Sequence, residues 1–186
     1  MTVAKIRIYP DPVLQTRAAE IKQIDARIVQ LAADMAETMY AAPGVGLAAP
    51  QIGVSERIIC VDVKPPEGEK ELITLINPVI VEAEGRIVEE EGCLSVPEIR
   101  ENVARSERVL VRGLDLNERQ REIEAHGLLA RAFQHEIDHL DGILFIDRIS
   151  RLKRGIIQRK MRKLMQEARA AQEAGGDPLV NGSRLF

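Results

Sequence analysis

The sequence of 186 residues contains no tryptophan, and aromatic residues make up only 3% of it. We therefore expect a core of Ile, Leu, Val and Ala, without a row of aromatic side chains on which single-stranded nucleic acid could stack. The net charge of −3 gives no electrostatic reason to expect a nucleic-acid partner either. No apolar run approaches the roughly 20 residues of a membrane-spanning helix, so no membrane partner is expected.

The chain is also poor in cysteine, with only Cys60 and Cys93. Two cysteines do not make a disulfide framework, and the N-terminal segment MTVAKIRIYPDPVL has neither the apolar run nor the cleavage pattern of a signal peptide. A reducing, cytoplasmic setting fits best, and there a thiolate can serve as a metal ligand. The length favours a single domain, residues 1–186.

Apolar spacing predicts three helices and several short strands. The helices are expected at 25–42, with Asp25 as N-cap, from about 128 to 140, and at 151–173. Strands are expected at 57–63, 71–82, 86–89, 103–116 and 121–125, with turns at 65–70 and 117–119 and a strand-like piece at 143–146. Helices that bracket many short strands indicate an α+β fold, and the tail after Gly175 is expected to be loosely structured.

The stretch QHEIDHLDG, residues 134–142, contains an HExxH motif. On a helix His135 and His139 lie on one face, about 5–6 Å apart at Cβ, and can bind one cation together. Glu136 can then point at the metal-bound water and act as a general base. The alternative is a solvated helix face with two incidental histidines, but the apolar residues around the motif make it weaker, because imidazoles beside a core need partners.

A third metal ligand is needed, and no histidine follows His139. Cys60 lies in an apolar strand and is better explained as a small buried hydrophobe, whereas His126 is expected in a loop. Cys93 follows Gly92, which allows close backbone approach. Two imidazoles and one thiolate give a tetrahedral site with an open fourth position, although spacing alone also permits a packed strand cysteine at residue 93.

Three segments together resemble the peptide deformylase family: GVGLAAPQ (44–51), EGCLSVP (91–97) and QHEIDHL (134–140). The resemblance extends to IRIYPDPVL near the N-terminus and covers about residues 3–165. It implies a metal-dependent hydrolase that removes the formyl group from formyl-methionyl nascent chains and releases formate. The fold it implies has a central HExxH helix packed against mostly antiparallel sheets, with an N-terminal helix and a long C-terminal helix.

The resemblance also implies roles for individual residues. Cys93, His135 and His139 would hold the metal, and Glu136 would be the general acid/base. The Gln51 side chain and the Leu94 backbone N–H would donate hydrogen bonds to the developing oxyanion. Without the resemblance, Gln51 would be predicted to be a solvent-facing loop residue. The residues expected to contact substrate are Val45, Gly46, Glu91, Gly92 and Arg131.

Two arginines are of interest beside these motifs. The resemblance implies that Arg100 pairs with Glu91, the acid of the EGC motif; the alternative is a surface arginine. Arg131 lies one turn before His135, beside Ala132, where relatives often carry aliphatic residues that line the methionine pocket. Its methylene stem could cover that pocket, or its charge could redirect the preference.

Imidazole and thiolate ligands alone make Zn²⁺ the default metal. The resemblance implies Fe²⁺ in the cell, with Ni²⁺, Co²⁺ or Zn²⁺ able to substitute. Residues 151–169 carry eight basic residues and one acid. This basic helix, 151–174, is either a solvated face or a docking element for the ribosome, followed by the tail 175–186.

Two other functions compete with the deformylase. A zinc peptidase that cuts internal peptide bonds would share HExxH, but the upstream Cys ligand and the lack of a downstream third ligand count against it. A non-catalytic ribosome- or RNA-binding module with a structural metal would not need Glu136, and structural sites usually close the fourth position.

Overall fold

The structure, a computed structural model, describes residues 3–64, 71–173, 179–180 and 183–184. The helices are α1 (Ala26–Ala41), α2 (Gly127–Leu140) and α3 (Arg151–Glu173). The strands are β1 (Gly46–Ala48), β2 (Ile58–Val61), β3 (Ile73–Glu84), β4 (Ile87–Cys93), β5 (Val96–Arg105), β6 (Arg108–Leu114), β7 (Gln120–His126), β8 (Leu179–Val180) and β9 (Ser183–Arg184). Within these ranges no helix combines the length and apolarity needed to cross a membrane.

The α+β prediction is confirmed. Five antiparallel strands form one sheet in the order β1-β2-β3-β6-β7, and β4 and β5 form a separate hairpin. Alternate residues of β2 point to opposite faces of the sheet. Ile58 and Cys60 pack with α1, whereas Ile59 and Val61 pack with α2. The two helices therefore cover opposite faces of the sheet.

The predicted helices are present. The Asp25 carboxylate accepts a hydrogen bond from the Ile28 N–H at 3.0 Å, which caps α1 as expected. The C-terminal helix has the predicted bounds, 151–173. The HExxH helix ends at Leu140, and Gly142 follows with a φ of +71°. A Cβ at Gly142 would lie 2.8 Å from the Gln15 backbone, so only glycine fits this stop.

Three local predictions were wrong. The expected strand 103–116 is two strands, because the chain turns at Ser106, whose N–H and C=O both bond the Gln134 side chain. His126 ends β7 rather than lying in a loop. The strand-like piece 143–146 instead leads into a short 3-10 helix, Phe145–Asp147, capped by the Asp147 carboxylate on the Leu144 N–H at 2.9 Å.

The predicted turn at 65–70 lies outside the described residues. So does the tail, except for β8 and β9, which pair antiparallel with each other.

Candidate active site

Helix α2 buries a run of polar side chains that ordinary amphipathic helices expose. Gln134, His135, Glu136, Asp138 and His139 are all buried. The helix packs against the sheet on one side, and the β4–β5 hairpin meets its polar side. Buried polar groups need partners, so this run indicates a site rather than a core.

The imidazoles meet the thiol of Cys93 at the end of β4. The Cys93 Sγ lies 3.2 Å from His139 Nε2, which lies 3.2 Å from His135 Nε2. One potential ligand atom from each residue lies within 4.8 Å of the others. The structure thus brings together the three predicted ligands from two distant parts of the chain.

The proton arrangement fits a cation at this point. His135 Nδ1 lies 2.5 Å from Glu91 Oε1. Burial opposes the negative charge of Glu91, but hydrogen bonds and charge from His135 and Arg105 outweigh it and lower its pKa to about 2. A carboxylate only accepts hydrogen bonds, so Nδ1 carries a proton and Nε2 faces the other two ligand atoms, where a bound ion would take its lone pair. Two imidazoles and a thiolate suit Zn²⁺ and other divalent transition metals.

Glu136 faces the same point from the next position of α2. Burial raises its pKa to about 7; the charge of His135 opposes this rise and that of Glu91 adds to it. Its Oε2 is buried, with no hydrogen-bond partner among the described residues. A Cβ at Gly46 would lie 2.3 Å from Glu136 Oε1, so the glycine makes room for the carboxylate. A buried carboxyl with a pKa near neutrality is typical of a catalytic acid or base.

Gln51 is fully buried, although the sequence pattern alone would suggest a solvent-facing loop glutamine. Its Oε1 accepts the Ala48 N–H at 2.8 Å. This bond fixes the orientation of the amide, so that Nε2 points to Cys93 Sγ at 3.6 Å and Ser95 Oγ at 3.3 Å. A neutral donor is thus held beside the ligand cluster.

The turn between β4 and β5 consists of Leu94 and Ser95. The Ser95 N–H donates to Cys93 Sγ at 3.4 Å. Leu94 and Gly92 line the same cleft as Cys93. Leu94, whose backbone N–H is a predicted oxyanion donor, therefore lies in the cleft wall directly after the ligand Cys93.

The edge strand β1 forms one wall of the cleft. The Val45 C=O accepts the Asp62 N–H at 2.9 Å, so the Val45 carbonyl faces β2. Backbone groups alternate along a strand, so those of Gly46 face away from β2, toward the side where Gln51 binds the Ala48 N–H. Of the two residues predicted to pair with substrate, Gly46 presents its backbone to the cleft, whereas Val45 contributes to the lining.

The cleft has a volume of about 700 Å³ and runs between β1, the β4–β5 hairpin and α2. Arg131 lines it, beside Leu128 and Ala132. The Arg131 guanidinium pairs with the Glu89 carboxylate and donates to the Glu90 carbonyl at 2.5 Å. Its charge is therefore neutralised by β4.

The predicted pairing of Arg100 with Glu91 was wrong. Arg100 lies opposite Gly92 in the hairpin, so it projects from the other face, is largely exposed, and lies 3.5 Å from Glu90. Arg105, on the same face as Glu91, binds it through two nitrogens at 2.6 and 3.0 Å. Both Glu91 oxygens are thus engaged by protein side chains, those of Arg105 and His135. Glu91, which was predicted to contact substrate, also lines the cleft.

Sequence reasoning missed Arg105, Asp138 and Arg148 altogether. Arg105 donates to Asp138 at 2.5 Å, and Arg148 binds the same carboxylate through two nitrogens. The available signal was the alternation of side chains along the two strands of the hairpin, which puts residues 91 and 105 on the same face. This signal was missed because 103–116 was predicted to be one strand, which hid that residue 105 belongs to the partner strand of β4.

The chain resembles known proteins over most of its length. A family model described as "Polypeptide deformylase" matches residues 3–155. A peptide deformylase from Thermodesulfovibrio yellowstonii is 54% identical over 162 residues, 87% of this chain and 98% of that protein. The crystal structure of a peptide deformylase from Legionella pneumophila has a TM-score of 0.82 at 44% identity, covering 89% of this chain and 96% of that one. That of the Ehrlichia chaffeensis enzyme in complex with actinonin has a TM-score of 0.83 at 40% identity, covering 88% and 98%.

Proposed function

Because this chain belongs to the peptide deformylase family, we propose that it removes the formyl group from formyl-methionyl nascent chains at the Cys93–His135–His139 site. The observation that carries the proposal is the convergence of these three ligand atoms beside the buried Glu136 carboxylate. The reaction breaks the formamide C–N bond with water and yields formate and a free amino terminus. We place it in the cytoplasm, where nascent chains are available.

Cys93, His135 and His139 would hold one divalent metal. When bound, such an ion supplies Lewis acidity and makes water a usable nucleophile near neutral pH. We propose Fe²⁺ as the ion in the cell, with Ni²⁺, Co²⁺ or Zn²⁺ able to replace it. Glu91 keeps the proton of His135 on Nδ1 and so keeps Nε2 available for the ion.

Glu136 is the proposed general acid/base. Its carboxylate accepts a proton from the attacking water and returns it to the leaving amine. Burial, which raises the pKa of this carboxyl, favours its uptake of the proton from water. The space provided by Gly46 lets this carboxylate reach the cleft.

Gln51 and the Leu94 N–H are the proposed donors to the formyl oxygen. Negative charge develops on this oxygen as water adds to the carbonyl carbon. The Gln51 amide is preorganised by its bond to Ala48, so it need not reorient during the reaction. Preorganised donors of this kind often lower the barrier more than any other group in an active site.

We expect Gln51→Met to lower kcat by about 10²–10³, or about 2.7–4 kcal/mol in barrier, because one oxyanion donor is lost. KM should change much less, since the interaction strengthens in the transition state. Steady-state kinetics with matched metal content would test this. A variant with unchanged kcat would remove Gln51 from the proposed mechanism.

The substrate is proposed to lie along β1 as an added strand, with main-chain bonds to Gly46 and contacts to Val45 and Gly92. The methionine side chain would enter the cleft beside Arg131. Because Glu89 neutralises the guanidinium, the stem of Arg131 offers an apolar wall. Methionine therefore remains the preferred first residue.

A comparison of three substrates tests the proposed reaction. We expect release of the blocking group from formyl-Met-Ala-Ser, little from acetyl-Met-Ala-Ser, and no cleavage of a longer peptide with a free amino terminus. Cleavage inside the long peptide would favour the zinc peptidase instead.

We also propose that α3 docks on the ribosome. Arg159, Lys160 and Arg162 are exposed, whereas Ile157 and Met161 face the core. Changing the three basic residues to Glu should weaken ribosome binding in co-sedimentation by roughly tenfold or more at moderate salt. The slope of log affinity against log salt concentration should become shallower by about one for each residue changed.

The control for this experiment carries the same charge change elsewhere. Lys22, Arg86 and Arg119 are also exposed but lie outside α3. Their triple change to Glu should leave co-sedimentation nearly unaffected. Equal weakening by both variants would make the effect one of net charge and leave α3 as a solvated helix.

A further inference from the structure

A continuous series of charged groups leads from the ligand His135 to the start of the C-terminal helix. His135 Nδ1 bonds Glu91, Glu91 binds two nitrogens of Arg105, and Arg105 donates to Asp138. Asp138 in turn is held by Nε and Nη2 of Arg148. From Glu91 to Arg148 negative and positive groups alternate.

The central members of this series are buried. The exposed fractions of the Arg105, Glu91 and Asp138 side chains are 2%, 8% and 9%. Two buried carboxylates with Arg105 alone would leave an excess negative charge, and an unpaired buried charge is costly. Arg148, which is 41% exposed, supplies the second positive charge from the surface.

Arg148 occupies a junction in the chain. It follows the 3-10 helix Phe145–Asp147 directly, and two residues separate it from α3. The ring of Phe145, from the same segment, stacks beside His135 with centroids 6.4 Å apart. The segment therefore contacts His135 directly through Phe145, and it is connected to His135 indirectly through Arg148.

We propose that Arg148 is a positioning residue for the metal centre. It holds Asp138 in place, Asp138 holds Arg105, and Arg105 fixes the carboxylate that orients His135. The inference rests on the proposed function, because it assumes that His135 binds a metal. Arg148 itself does not line the cleft, so it acts only through the other residues.

Positioning and simple electrostatics predict opposite effects of Arg148→Gln. The variant removes one positive charge, and on charge alone a bound cation should be held more tightly. If Arg148 positions His135, the metal should instead leave faster. Groups that orient metal ligands typically contribute about 10–100-fold in affinity; because Arg148 acts through three residues, we expect release to be faster by about three- to tenfold.

The test uses protein loaded with Co²⁺ and measures release to excess chelator, together with the visible absorption of the bound ion. Arg148→Gln should show faster release and shifted absorption bands, whereas Arg148→Lys, which keeps the charge and one donor, should recover most of the wild-type behaviour. The control is Arg154→Gln. This change removes the same charge near the start of α3, from a pair with Asp147 rather than Asp138, and should leave both readouts unchanged.

Unchanged or slower release from Arg148→Gln, with only a lower thermal midpoint, would overturn the positioning role and leave Arg148 a structural ion pair. The same shift in Arg154→Gln would also overturn it. Failure of the wild-type protein to retain Co²⁺ would instead contradict the proposed metal centre, and the Arg148 proposal with it.

Discussion

Replacing Glu136 with glutamine should abolish most turnover while leaving the metal bound. Glutamine has nearly the same shape and can still lie against Gly46, but it cannot accept a proton from water. Loss of a general acid/base typically costs about 10²–10⁴ in rate. Formate release and metal content should be measured on the same preparation, because the expected result is a lower rate of formate release at unchanged metal content.

A matched control is available in α1. Glu37 also has a buried Oε2 without a hydrogen-bond partner among the described residues, but it does not line the cleft. Glu37→Gln should retain wild-type turnover. If Glu136→Gln retained it too, the proton transfer would belong to another group.

The second large effect is expected for Cys93→Ser. The hydroxyl is a harder and far less acidic ligand than a thiol. The variant should therefore lose more metal affinity than the roughly 10–100-fold that is typical when a residue that only hydrogen-bonds to a metal ligand is replaced. Turnover should fall with the metal content. With Co²⁺, the absorption of the thiolate–metal bond should disappear.

Cys60 provides the control for Cys93→Ser. It lies in β2, and burial raises the pKa of its thiol to about 12, so it is not a thiolate near neutral pH. Cys60→Ala should lower the thermal midpoint, because a buried side chain is truncated, but it should keep the metal and its spectrum. Unchanged metal binding in Cys93→Ser would indicate a different third ligand.

Local patterns were sufficient where the determining contacts are close in sequence. The cap at Asp25, the bounds of α3 and the shared face of His135 and His139 all depend on residues within one turn of helix. Cys93 was favoured as the third ligand because the other candidates were weaker, and the resemblance strengthened that prediction. Its place beside the two histidines could not be derived locally, because no residue near Cys93 specifies that β4 ends at α2.

Other features depended on tertiary contacts. The turn at Ser106 is stabilised by Gln134, 28 residues away, so apolar spacing around 103–116 could not reveal it. Because that turn was missed, Arg105 was not assigned to the hairpin strand opposite β4. The resemblance pointed instead to Arg100 as the partner of Glu91. Gln51 was expected in solvent without the resemblance, because its burial is set by packing against the hairpin.

The two competing functions differ from the deformylase in what the site must contain. A binding module with a structural metal gives no reason to bury Glu136, whose Oε2 has no hydrogen-bond partner in the part of the chain that the structure describes. It also gives no reason for the glycine at position 46, which makes room for this carboxylate. A peptidase that cuts internal bonds must accommodate a further residue attached to the carbonyl carbon of the scissile bond. In the proposed formamide substrate this carbonyl carbon carries only a hydrogen.

The most direct test is an anaerobic assay of formate release from formyl-Met-Ala-Ser by protein loaded stoichiometrically with Fe²⁺ or Ni²⁺. We expect catalytic release, many formate molecules per protein, with the free amino terminus appearing in equal amount. No formate from fully loaded protein would contradict the proposed reaction.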